Sequence, residues 1–354
     1  MLAVVDPSAL TTEALARAAV ILSVGLLLMF SAAVSITITL CNDALRDVIG
    51  YYMAQEWPAS CLNEEGLFKK KSKFIIALEV SLSAADLLCS VAIIPTSMYS
   101  ALAPDWQFMG DNSLVCKCSV YLEIVLFANT TYTLAWIGID RYAALMKPQR
   151  YEAEQTITRC KCWIAFTWSS TVLFSLPIIV ARMKVSYYRA AELCLLDWSA
   201  TTAYSVTLAS LILVPSTCTI LFTYCSIFWA MRNSHTLEDN QRLLLETDHN
   251  FALSFFVLFA FILSWLPVIA VRFVPQSMLN PADLATVDFV FVWLAIGGPS
   301  SKLLISLFIN QEFRAAFGQC ISSFCPCCCL AQSAARQRRR LEYRNLSDRR
   351  VHCS

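Results

Sequence analysis

The sequence predicts an all-α fold, a bundle of seven membrane-spanning helices, and three observations carry that prediction. The chain of 354 residues is 57% hydrophobic and only 15% charged, with a mean hydropathy of +0.57. That is more apolar surface than a soluble core of this size hides, so lipid must cover part of it. Crossing a hydrocarbon core as helix takes about 20 apolar residues, and seven runs qualify: 14–41, 74–102, 114–139, 160–181, 199–231, 249–276 and 285–309. Each span must satisfy its own backbone away from water, which a helix does internally. A transmembrane barrel would instead show segments of about ten residues with alternating hydrophobicity, and the sequence has no such pattern.

Orientation follows from the distribution of positive charge. Lys and Arg concentrate on the side that holds Lys69, Lys70, Lys71, Lys147, Arg159 and the tail, so that side faces the cytoplasm and the N-terminus faces out. The expected organisation is an extracellular segment 1–13, a transmembrane domain 14–309 and a cytoplasmic amphipathic helix and tail 310–354 in a multi-pass cell-membrane protein. Met1 to Glu13 holds no basic stretch and no A-x-A site follows the first run, so that run is read as an uncleaved signal anchor. A net charge of +1, with charges collected mostly in the segments between the spans, gives no footprint for nucleic acid.

Only those of the sixteen cysteines that face outward meet oxidising conditions. Cys116 opens the third helix and Cys194 is the cysteine in the loop between the fourth and fifth, which makes them the expected disulfide. Cys118 competes with Cys116, but two residues along a helix turn it about 200° away. Buried thiols are the plain alternative. The histidines, His235, His249 and His352, lie in or near cytoplasmic segments, and no nucleophile and base pair is found, so no enzyme, cofactor or metal site is expected.

Asp140-Arg141-Tyr142 closes the third helix, with Arg141 twenty-five residues after Cys116. Trp106, Gly110, Pro148, Tyr151, Trp168 and Pro177 flank it, and Phe261, Ser264, Trp265 and Pro267 read as F-x-x-C-W-x-P with Ser for Cys. On these residues the chain resembles the rhodopsin-like (class A) G-protein-coupled receptors over roughly 14–330, as an atypical member nearest in pattern to amine-type receptors. The resemblance implies that Arg141 is an arm held by Asp140 at rest, which reaches into a heterotrimeric G protein when the sixth helix swings out. A snorkelling arginine is the plainer reading. Pro267 removes a backbone hydrogen bond and supplies a hinge, with Trp265 as the switch beneath the ligand. Pro215 matches the fifth-helix proline, and Tyr224 stands one residue late for the expected tyrosine.

By the same resemblance an extracellular small-molecule or peptide ligand enters between the third, fifth, sixth and seventh helices. Glu123, eighteen residues before Arg141, stands where amine receptors carry an aspartate that pairs with an ammonium. An intramembrane carboxylate is a functional candidate, and a protonated Glu123 bonded to a neighbouring helix is the alternative. Thr207, Trp265, Arg272 and Trp293 share the expected pocket, where Arg272 would equally suit an acidic ligand. Asp86 matches the family's second-helix acid, which in relatives helps to hold sodium. Lys302 and Leu303 replace the Asn-Pro of N-P-x-x-Y and Ser306 its tyrosine. Lys302 is therefore expected either to pair with Asp86 in the volume of that sodium or to snorkel inward. A retinal lysine would align with Ile296, and six residues along a helix turn Lys302 about 240° away and about 9 Å deeper.

Asn310, Phe313, Arg314 and Phe317 resemble the family's short helix on the inner membrane face. Cys320, Cys325, Cys327, Cys328 and Cys329, followed by Arg336, Arg338, Arg339 and Arg340, suit anchoring by palmitate and anionic lipid. Zinc is the rival reading of the thiols, but contiguous Cys327 to Cys329 lacks C-x-x-C spacing. Other departures are Ala32 and Ala33 in the region of the first-helix asparagine, a long loop from Asn42 to Lys71, and Glu238, Asp239, Glu246 and Asp248 where the sixth helix is ordinarily basic. The acidic set counts against ordinary G-protein coupling. A signalling receptor is the first reading, a non-signalling heptahelical binding or scaffold protein the second, and a transporter, which would show paired broken helices, the third.

Overall fold

A computed structural model describes residues 11–41, 64–103, 105–154, 156–233, 250–273 and 281–311, together with 241, 313–315 and 317–318. The first three spans are α1 (Thr12–Cys41), α2 (Glu64–Leu102) and α3 (Leu114–Met146). After the short α4 (Pro148–Glu154), the fourth span is α5 (Ile157–Ser175), continued beyond a break at Leu176 by α6 (Pro177–Val180). The fifth is α7 (Thr202–Arg232), the sixth α8 (Asn250–Phe273), and the seventh α9 (Pro281–Gly297) with α10 (Ser301–Ile309). All seven are long and apolar enough to cross a membrane. Large side chains such as Leu27, Phe30, Val214, Phe222, Leu263 and Phe308 stand exposed around the bundle, a load of apolar surface that a bilayer covers and water does not.

Local chemistry sets the helix ends. Ser113 accepts from the Cys116 backbone N–H at 3.0 Å and caps α3, and Thr156 does the same for α5 through Arg159. Asn310 ends α10 and accepts from the Phe313 N–H at 3.1 Å, so the helical residues 313–315 and 317–318 start from a capped turn. The Arg314 guanidinium turns back onto the carbonyls of Leu307 and Phe308, the end of a helix dipole that attracts positive charge.

With lipid as solvent, helices gain little by hiding apolar faces from one another, and polar staples and small residues hold them together. The Trp168 indole donates to Ser81 at 2.9 Å, Trp136 to Thr167 at 3.1 Å, Tyr132 to the Leu211 carbonyl at 2.8 Å and Tyr204 to the Phe174 carbonyl at 2.9 Å. These bonds join the second span to the fourth, the third to the fourth and fifth, and the fourth to the fifth. Ser31, next to the alanines that replace the first-span asparagine, donates to the Ser300 carbonyl at 3.3 Å.

Three features depart from the sequence reading. The second helix begins at Glu64, so the last eight residues of the loop expected from Asn42 to Lys71 are helical. The loop after the fourth span carries an antiparallel hairpin, β1 (Val185–Tyr188) with β2 (Leu193–Leu196), pairing Tyr187 with Cys194. Val, Tyr and Leu at these positions suit a pleated surface with one face buried. The seventh span breaks at a tight turn over Gly298–Ser300, because Pro299 has no N–H to continue the ladder. A Cβ on Gly298 would lie 2.6 Å from that of Ser264, so the missing side chain lets this turn press on the sixth span beside Trp265. We expect Gly298→Ala to cost about 1–3 kcal/mol through overpacking, seen as a lower thermal midpoint of the purified protein than that of Gly318→Ala, whose Cβ meets nothing within 4 Å.

Candidate functional site: a charged core between a tied hairpin and an inner arginine

At the middle of the bundle Lys302 Nζ donates to Asp86 Oδ2 at 2.8 Å and to Ser83 Oγ at 3.0 Å. Lys302 is 6% exposed and Asp86 5%. The break at Gly298–Ser300 ends just before Lys302, so the first turn of α10 carries the ammonium toward the second span. Ser83 lies three residues before Asp86 on one helical face, and its own hydroxyl donates to the Glu79 carbonyl at 2.8 Å. Two opposite charges thus share a site with a hydroxyl in which neither stands alone.

At the end of the bundle where the third span closes, Asp140 and Arg141 are buried, and the Arg141 guanidinium donates to Asp140 Oδ2 at 2.9 Å. Asp140 Oδ1 accepts from the Tyr151 hydroxyl at 2.9 Å. Burial above all, and then the Asp140 carboxylate, push the Tyr151 phenol up, so it stays a proton donor. Arg141 also lies over the Phe251 ring of the sixth span, 5.3 Å from its centroid. Tyr142, half-buried, packs at 5.3 Å on Phe222 of the fifth, and the Gln241 amide donates to the Leu145 carbonyl at 3.0 Å.

In the half of the bundle nearer the hairpin, Glu123 is partly buried and accepts from Ser119 at 2.9 Å. One turn deeper on the same face, Phe127 meets Trp265 edge-on at 4.8 Å, with Phe261 6.3 Å from both rings. The neighbouring faces of the third span are committed elsewhere. Ile124 and Ala128 pack on Leu208 and Ile212 of the fifth span, while Leu122 and Leu126 join Phe289 and Trp293 of the seventh and Ala191 and Leu193 of the hairpin loop.

That hairpin is tied on several sides. Cys116 and Cys194 form a disulfide. Arg17 of the first span donates to Glu192 and to the Arg189 carbonyl, both at 3.3 Å, and lies 5.2 Å above the Phe289 ring. Tyr187 donates to Glu192 and accepts from Ser100 of the second span at 2.9 Å, while Tyr188 donates to Asp288 of the seventh. Burial, then the bond to Glu192, raise the Tyr187 phenol above its ordinary range.

Among the expected ligand residues the structure therefore gathers Glu123 and Trp265 along one face of the third span. Trp293 is 1% exposed and its indole N–H is taken by the Ala191 carbonyl at 3.0 Å. Thr207 is exposed and its hydroxyl donates back to Ala203. The Arg272 side chain, the acidic set Glu238 to Asp248, and Cys320 to Cys329 with the basic stretch after them lie outside the described residues. Sequence reasoning missed Ser83, Phe251 and the ties of Arg17, Glu192 and Asp288. Arg17 and Asp288 could have been found as charges inside or beside apolar runs. Phe251 carries no such mark.

The fold defines a multi-pass heptahelical membrane protein. The family model for the 7 transmembrane receptor (rhodopsin family) matches residues 68–299, and the chain belongs to that family. Among its relatives, G-protein coupled receptor 52 of Bos taurus is 28% identical over 63% of this chain and 66% of its own length. Melatonin receptor type 1A of Ovis aries is 24% identical over 70% and 68%. Octopamine receptor beta-2R of Chilo suppressalis is 23% identical over 77% and 78%. The chain thus spans just under two thirds of the bovine relative.

Removing one partner of the core pair leaves a buried charge, at a cost of about 3–5 kcal/mol, whereas replacing both by apolar residues is often neutral. We expect Lys302→Met and Asp86→Leu each to cut the yield of folded protein, and the double variant to recover much of it. Additive losses in size-exclusion yield would show that the two side chains do not depend on each other.

Proposed function

We propose that the protein is a cell-surface receptor, N-terminus outside, that binds an extracellular ligand and signals to a heterotrimeric G protein. The observation that carries this reading is the inner cluster. A buried arginine is held by Asp140, and its guanidinium also rests on an aromatic ring of the sixth span, so outward movement of that span removes one of its supports. A switch needs such a group with a closed seat and a movable neighbour.

The outer half supports a cationic ligand. Among the described residues the Glu123 carboxylate has Ser119 as its bonded partner and no cation beside it. A carboxylate among apolar helices is costly without a counter-charge, which a ligand ammonium supplies. Phe127 and Trp265, one turn deeper, offer aromatic faces to the same cation.

Nucleotide exchange on a panel of G proteins, with the full chain in lipid nanodiscs, tests the reading. Exchange that disappears in Arg141→Ala is expected. Its absence with every G protein, in the presence of an amine library, would instead identify a heptahelical binding protein that does not signal. For a cationic agonist, a charge-assisted hydrogen bond is worth about 1.5–3 kcal/mol, so Glu123→Gln should weaken potency about ten- to hundredfold. Unchanged potency would remove Glu123 from the ligand site.

A further inference from the structure

The Ser83 hydroxyl donates to the Glu79 carbonyl at 2.8 Å, so its hydrogen is committed there and it meets Lys302 as an acceptor, at 3.0 Å. Asp86 Oδ2 accepts from the same ammonium at 2.8 Å. Both residues are buried. Oxygens that converge on one point as acceptors, one of them charged, are the ligands a hard cation takes. A lysine ammonium is itself a compact monovalent charge. Here it arrives on the chain's own stem, from the first turn of α10 after the break at Gly298–Ser300.

The sodium ion that the likeness to the family implies beside Asp86 does not fit this arrangement. To reach Oδ2 it would have to share that oxygen with the ammonium. Among the described residues Asp86 is the carboxylate in ion-pair contact with Lys302, so one negative charge would face two positive ones inside the bundle.

We infer that Asp86 and Ser83 form a monovalent-cation seat that the chain fills with its own Lys302, and that dissolved sodium is thereby excluded from the core. A dissolved ion fills its site according to its concentration. A tethered ammonium does not. It moves only with its helix, and leaving the seat would strip Asp86 of its counter-charge. The tie between the second and seventh spans is therefore set by the fold and not by the ions of the medium. The seat does not depend on the receptor reading, and its test needs neither a ligand nor a G protein.

The full chain in zwitterionic lipid nanodiscs is titrated with sodium chloride against choline chloride at constant ionic strength, and the thermal midpoint is read. The wild-type midpoint should not change. Lys302→Ala keeps both oxygens and vacates the lysine's volume, so its midpoint should rise with sodium and not with choline, in proportion to the logarithm of concentration once the site fills. Adding Asp86→Asn should abolish that rise. Lys302→Asn is a second variant judged by the same criterion, and a variant that folds in sodium but not in choline supports the seat equally. The inference is overturned if sodium raises the wild-type midpoint and Asp86→Asn abolishes the rise, because the seat then admits an ion beside the ammonium. It is also overturned if Lys302→Ala and Lys302→Asn both fold and both ignore sodium. Failure of both to fold in either medium overturns it as well, since no dissolved cation then takes the ammonium's place.

Discussion

A charge inside a bilayer is costly until it meets its opposite, and that constraint organises this bundle from its middle outward. Lys302 stands in the seventh span as an ammonium that lipid cannot solvate, and Asp86 in the second as a carboxylate with the same difficulty. Bonded to each other, with Lys302 also donating to Ser83, they fix the second span against the seventh at the depth where the seventh breaks over Gly298–Ser300. The break and the pair are one arrangement. Pro299 interrupts the ladder, Gly298 lets the turn press on Ser264, and Ser31 of the first span bonds the carbonyl at the end of the turn.

The same constraint explains the two ends. At the close of the third span Asp140 and Arg141 neutralise each other, and Tyr151 donates to the same carboxylate. At the opposite end, Arg17, Ser100 and Asp288 tie the hairpin to three spans through Glu192, Tyr187 and Tyr188, and the disulfide ties it to a fourth. Ala191 and Leu193, carried inward by these ties, share a packed cluster with Trp293 and Phe289. Phe289 and Trp293 of the seventh span are therefore covered by the protein's own loop, while Glu123 shares a stripe of the third span with Phe127, which meets Trp265 of the sixth.

Helix number and position were legible because lipid imposes a length and a composition that few other structures share. The seven runs read from hydropathy lie on the seven long helices, and the second helix begins at Glu64, ahead of its apolar run. The disulfide was legible because compartment and loop position leave few partners. Less legible was everything set by short loops and by contacts between distant residues. The hairpin's two four-residue strands are too short for periodicity to declare. Trp293 could be read as facing a pocket, but not that an Ala191 carbonyl would take its N–H. Phe251 looks like any lipid-facing residue until the third span places a guanidinium over it.

The account depends most on Lys302 being charged and bonded to Asp86 in the middle of the membrane. The direct measurement is nuclear magnetic resonance of selectively ¹⁵N-labelled lysine side chains in nanodiscs, with the Lys302 signal identified by its loss in Lys302→Met. The account predicts an ammonium resonance, protected from solvent exchange, that moves when Asp86 is replaced by Asn while the other lysines stay in place. A neutral amine signal, or an ammonium that exchanges freely with water and ignores Asp86, would contradict it.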